Sequence, residues 1–518
     1  MKKSGIALVV VLLILVFVNY AIAALFETVK SNVVRVNADL RSVSVALEAY
    51  MVDWNVYADN LSKLSTPVAY ISSIPKDPFA PGAEQGQVVP LNYLKKEEKI
   101  YVYSYGPDKD NDDCEIAYDS TNGTESDGDI YRVNEHQSEK QIYQPSTVFE
   151  DDQIAKADEN NGIKEYMLAL KKAKINTQMT NKLNDILKKG WSAGSNDIIA
   201  FINDNQESMD LIHKGSQKPY AKVVMDESKM DCFSPVPNFL AIQTLSKAMV
   251  AQGKKFESEG NVKDAVRNYI DVIKFGKGIG HSPFIIGKLI DIAVESMGYK
   301  ALVSALLHYE LDSVYLTELQ KELAEMEKRT MPISDTFWNE HLMFVNTIEK
   351  QARGEMKTDG TSALYLRLNK DRIIENNTKF WKAFVENSKK HYPEMIKFDP
   401  AAMINEMDAI NRMGVPNFLE ASTRDFTTQA WGKSAQIIVA LKISKVRTNA
   451  YPPSLGQIKS TTQEIPVDPF SNTDFKYMPV SSSFILYSIG PDIVDERGQN
   501  IYDPTNGTRS SGDIVFTN

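Results

Sequence analysis

Cysteine is nearly absent from this 518-residue chain: Cys114 and Cys232 stand far apart, with no CxxC or CxxH spacing around either. That argues against a disulfide framework or a cysteine-built zinc site. A single Cys114–Cys232 bridge stays open, since an oxidising compartment permits disulfides without requiring them. Histidine is scarce as well, six in all and none in H-E-x-x-H spacing, so His281 and His341 read as surface or internally satisfied residues. Basic excess is missing too. The 58 Lys and Arg face 68 Asp and Glu, a formal charge of -10, and no segregated basic stretch offers itself to a phosphate backbone. Nucleic acid is therefore not an expected partner, and no small-molecule substrate is evident.

What is present is length, with 43% hydrophobic residues, enough for two to four domains. Lys2 and Lys3 precede an apolar run from Ile6 through Leu12 and Leu15 to Leu25. Such a run matches the ~20 residues of a spanning helix, and lysines on the short side favour a cytoplasmic start. The expectation is a single-pass bacterial inner-membrane protein with its bulk in the periplasm. Cleavage as a signal peptide at Ala21-Ile22-Ala23 is the alternative. Beyond it, Val33, Val36, Leu40, Val43, Leu47 and Tyr50 keep helical spacing. After Trp54, Pro, Gly, Asn and Asp punctuate short β-like runs such as Ile100 to Tyr105.

An internal repeat organises the rest. Ile74-Pro75-Lys76-Asp77-Pro78-Phe79 returns as Ile465-Pro466-Val467-Asp468-Pro469-Phe470, and Tyr103-Ser104-Tyr105-Gly106-Pro107-Asp108 as Tyr487-Ser488-Ile489-Gly490-Pro491-Asp492. Tyr118 to Thr124 then matches Tyr502 to Thr508, and Gly128-Asp129-Ile130 matches Gly512-Asp513-Ile514. A weaker copy of the helical lead-in runs from Phe418 to Tyr451. The expected domains are an anchor over 1–25, a first module over 26–136, a helical region over 137–412 and a second module over 413–518. Within the helical region, Gly253, Phe256, Gly260, Asn261, Ala265 and Tyr269 have the spacing of one tetratricopeptide-type hairpin. The expected class is α+β: a transmembrane helix continuing into a helix with a small β-layer, an all-α centre, and a second α+β module.

These blocks resemble the major pseudopilin of type II secretion and, more loosely, the type IV pilin group, over about residues 1–133 and again about 415–518. The resemblance implies a non-enzymatic assembly component, meeting the inner membrane and pseudopilin or secretion-platform proteins. The start departs from the family: no acidic residue lies between Lys3 and Glu27, and Val10 stands where the family's glutamate would fall. A carboxylate in lipid is costly and kept only for a partner, so its absence points to an accessory relative rather than a filament subunit. A scaffold whose helical centre docks a partner, unrelated to any filament, is the alternative.

The acidic loops are the candidate sites. Asp108, Asp110 and Asp112 open a loop that has the oxygen donors a hard cation needs, but Asp113 in place of the turn glycine rules out an EF-hand. The family resemblance implies calcium here, held by Asp108 and Asp129 in the first module and Asp492 and Asp513 in the second. The alternative is that these are solvated turn formers. The Asn-Gly-Thr triplets at Asn122 and Asn506 read as tight turns sooner than as glycosylation acceptors. Gly190-Trp191-Ser192-Ala193-Gly194 spells a nucleophile elbow, which needs a preceding buried strand. Lys182 to Lys189 reads as helix instead, so no catalytic residue is assigned.

Overall fold

The computed structural model describes scattered residues between 29 and 51 and, more continuously, 57–65, 70–71, 74–85, 87–96, 99–119, 126–135, 147–232, 234–280, 285–356, 360–400, 403, 418–460, 465–480, 482–503 and 510–517. The expected α+β class is corrected. The described residues are mainly helical, 59% helix against 10% strand, because the centre and the helix Phe418–Thr448 outweigh two sheets of three short strands each. The expected single-pass inner-membrane localisation is corrected as well: among the described residues no helix is long and apolar enough to cross a membrane. Ile285–His308 has the length, 24 residues, but Lys288, Asp291, Glu295 and Lys300 interrupt it. The anchor residues Ile6, Leu12, Leu15 and Leu25 lie outside the described residues.

In the first module the stripe foreseen from spacing is real. Residues 29–51 are helical wherever described, and Val36, Leu40, Val43 and Leu47 are wholly buried. They face an antiparallel sheet of β1 (Asn92–Lys96), β2 (Lys99–Ser104) and β3 (Ile130–Glu135), in that order. Period-two alternation turns Ile100 and Val102 of β2 into the same core.

The described centre is built of helices joined by loops, the longest running over 217–238. Phe239–Ser258 and Val262–Gly280 form the hairpin that the glycine spacing suggested. Gly260 turns the chain at φ +81°, and Gly253 lies so close to the Tyr269 ring that a Cβ there would collide with it. Tyr269 donates to Glu257 at 2.6 Å and locks the pair. Ile285–His308 packs on the second helix of the hairpin and is covered again by Phe418–Thr448.

That last contact fuses the second module to the centre. Its sheet, β4 (Lys476–Val480), β5 (Ser483–Ser488) and β6 (Ile514–Phe516), repeats the antiparallel order of the first. Its apolar face, however, continues into the helical core through Ile437, Ile438 and Leu441, and Trp431 stacks edge-on against Phe516 at 4.8 Å. The junction also buries charge. Lys288 pairs with Asp291 at 2.9 Å and Asp425 at 3.6 Å, and Lys277 pairs with Glu295 at 2.6 Å. Cys114 and Cys232 are both free thiols.

The Asp-Pro-Phe carboxylates explain why the repeat blocks travel together. Asp77, 1% exposed, accepts from the Phe79 amide at 2.9 Å, the Ser104 hydroxyl at 2.6 Å and the Tyr105 amide at 3.0 Å. Asp468 accepts from the Phe470 amide at 3.1 Å, the Ser488 hydroxyl at 2.7 Å and the Ile489 amide at 3.3 Å. Each carboxylate ties one motif to the strand end that opens the acidic loop. Substituting Asp468 by Ala strands three buried donors and is expected to cost about 3 kcal/mol. Urea unfolding measures it, with Asp474→Ala as the exposed control expected to stay within about 0.5 kcal/mol of the parent.

Candidate functional site

The two acidic loops are the same structure built twice. From Gly106 to Asp129 and from Gly490 to Asp513 the register is constant, since 492 − 108 and 513 − 129 both give 384. The backbone follows: φ is positive at Lys109, Asp113 and Cys114 and again at Ile493, Arg497 and Gly498. Side chains do not impose this, because Lys faces Ile and Cys faces Gly at matched places. Glycine is required where the loop closes. Gly128 and Gly512 have φ +103° and +119°, and a Cβ at either would come within 2.8 Å and 2.7 Å of the opposite strand of backbone.

Two carboxylates close each loop. Asp108 accepts from the Asp110 amide at 3.3 Å and from the Gly128 amide; Asp492 accepts from the Val494 amide at 3.1 Å and from the Gly512 amide at 2.9 Å. Across the loop, Asp129 Oδ2 accepts from the Cys114 amide at 2.8 Å and Asp513 Oδ2 from the Gly498 amide at 2.7 Å. The second oxygen of each, Oδ1, is buried and has no hydrogen-bond partner among the described residues. Burial pushes both carboxyls up to about 6, with Asp112 and Asp108 adding to the rise at Asp129, and Glu496, Asp495 and Asp492 at Asp513.

The structure thus brings Asp108 and Asp129 together, and Asp492 and Asp513, as expected of the loop ends. Asp112 joins the first set electrostatically: residual desolvation and then Asp108, Asp110, Asp127 and Glu115 raise its carboxyl. Asp110 is exposed and accepts from the Asn111 amide at 2.8 Å. Glu496 is the residue that reading the sequence missed. Its Oε2 is another buried oxygen with no hydrogen-bond partner among the described residues, and it occupies the register place of Asp112. The constant offset of the repeat would have found it. Among the described residues no three His, Cys, Asp or Glu side chains form a ready-made metal cage. The orphaned oxygens nevertheless suit a hard cation that completes its shell with backbone carbonyls and water.

Ser192 has no elbow. It sits in a short 3-10 turn after the helix Thr177–Lys189, exposed, with its hydroxyl donating to the Lys189 carbonyl at 3.0 Å. His341 is buried between Asn377 at 2.7 Å and Thr378 at 3.3 Å; His281 lies outside the described residues, as do Asn122 and Asn506. No protein-family model, curated protein or solved structure matches the chain.

A pH dependence follows from the buried carboxyls. Their folded pKa, about 6, lies above the ordinary 3.8, so the fold disfavours the ionised form. In metal-free protein the two groups subtract stability above pH 6, and the penalty disappears as pH falls from 6 towards 4. Asp129→Asn and Asp513→Asn should therefore stabilise the metal-free chain at pH 8 and leave it unchanged near pH 4. Thermal melts in chelator read both, and equal effects at the two pH values would contradict the assignment.

Proposed function

We propose that this chain is a non-enzymatic assembly protein whose two pseudopilin-like modules make protein–protein contacts through calcium-ordered loops. The observation that carries this reading is the duplicated loop with a buried, unpartnered carboxylate oxygen in each copy, at Asp129 and Asp513. The two loops share no residue over 109–117 and 493–501, yet they keep one backbone path there and one pair of closing carboxylates, as a shared ligand requirement would demand. Calcium bound there would supply the positive charge that the loops lack and would hold the carboxylates ionised. Asp108, Asp112 and Asp129 would hold it in the first loop, and Asp492, Glu496 and Asp513 in the second.

Ordering such a loop fixes its exposed face. Ile116 and Val133 in the first module, and Ile493, Val494 and Ile501 in the second, are exposed apolar side chains on or beside the loops. A partner subunit with a complementary apolar edge would cover them, at affinities set by a few such anchors and not by total area.

Recovery of the tagged full-length chain from its native cells, with calcium retained or chelated, tests the proposal. Pilin-type or secretion-platform subunits are expected to co-purify with calcium and to be lost with chelator or in the Asp492→Ala/Asp513→Ala double variant. Identical partners with and without calcium, or none of these classes, would contradict it.

A further inference from the structure

A cavity of about 850 Å³ opens on the helical centre, away from both acidic loops, between the segment around Lys222, the turn at Arg329 and the helices Ile333–Arg353 and Gly360–Ser388. Its size falls within the ~300–1,000 Å³ typical of ligand sites. Its charge runs against the rest of the chain. Five cations line it against three carboxylates, Glu227, Asp335 and Glu386, on a protein of net charge -10. Lys328 and Lys389 are spoken for by Glu325 and Glu386, both at about 2.7–2.8 Å. Lys222, Arg329 and Lys382 make no ion pair among the described residues, and all three are exposed.

Two further features give the cavity specificity. Asn339 lines it while only 5% exposed, and its amide makes no hydrogen bond to any described residue. That amide reaches solvent within the cavity, where a polar ligand can take the place of water. An asparagine amide offers a donor and an acceptor side by side, which matches a peptide group; a bare phosphate would use only the donor. Trp338 supplies an apolar face and is held in place by the His341 ring at 4.8 Å, itself bonded to Asn377.

We infer that this cavity binds a short acidic peptide segment of a partner protein, with carboxylates on Lys222, Arg329 and Lys382, a backbone amide on Asn339 and an apolar side chain on Trp338. This site is independent of the calcium loops, and its test does not depend on them. Fluorescence anisotropy of the full-length chain with labelled peptides alternating glutamate and leucine is the measurement. Glutamate peptide should bind at least about tenfold more tightly than its glutamine counterpart. Arg329→Gln/Lys382→Gln, both at exposed positions, should lose about tenfold with an unchanged melt, and added salt should weaken binding. Asn339→Leu should weaken both peptides alike, leaving the salt dependence intact. Absence of binding, equal binding of the glutamine peptide, or displacement by inorganic phosphate as readily as by unlabelled peptide would overturn the inference.

Discussion

One buried carboxylate in each module holds the loop architecture in place. Asp77 and Asp468 each gather two backbone amides and a serine hydroxyl from segments that are separated in sequence, and so set the point at which the middle strand gives way to the acidic loop. A carboxylate that accepts several charge-assisted hydrogen bonds is worth burying, whereas the same group with its partners removed is not. The proline and aromatic residues that follow it in sequence are then positioned by it: Phe79 and Phe470 fill the two cores. Downstream, Gly106 and Gly490 enter left-handed backbone at φ +74° and +70°, each against the glycine that closes its loop.

The modules share this device but not their surroundings. The first has its own compact apolar cluster, from Val33 to Ile130. The second has none of its own, because its sheet rests on a helix that is already part of the central bundle, and Tyr392 reaches from that bundle to the Pro491 carbonyl at 3.1 Å. The bundle in turn tolerates Lys277, Lys288, Asp291, Glu295 and Asp425 at its junction with this helix. Burial raises the Glu295 carboxyl to about 8, with Asp291 beside it adding to the rise, while the lysines oppose it. Packing such a set correctly demands one alignment of Ile285–His308 against Phe418–Thr448, which gives the junction a unique register where apolar ridges alone would allow several.

Much of this was legible in the sequence. The repeat blocks located both loops and their closing aspartates, Asp108 with Asp129 and Asp492 with Asp513, because tight turns need particular residue types at fixed spacing. The stripe from Val33 to Leu47 and the hairpin around Gly260 followed from helical periodicity. What escaped was set by tertiary packing. Motif content drew attention to the strands, yet helices supply most of the mass, so the α+β class did not hold. Ile285–His308 is apolar on every side because it is covered on several, and its charged residues are matched within the helix, Lys288 with Asp291, and across to its neighbours, Lys288 with Asp425, Glu295 with Lys277 and Lys300 over the Trp431 ring. Glu496 escaped because it replaces an aspartate with a longer acid in a stretch diluted by Ile493 and Val494. The cavity beside Trp338 has no local signature at all, since its cations come from three distant segments.

The two loops act as matched cation sites only if the chain binds two calcium ions. Calorimetric titration of chelator-treated full-length protein at pH 7.5 counts them directly. Two ions per chain are expected, one lost with Asp108→Ala/Asp129→Ala and the other with Asp492→Ala/Asp513→Ala, and both weakened below pH 6 as the buried carboxyls take up protons. No calcium uptake, or uptake untouched by either pair of substitutions, would contradict the loops as cation sites.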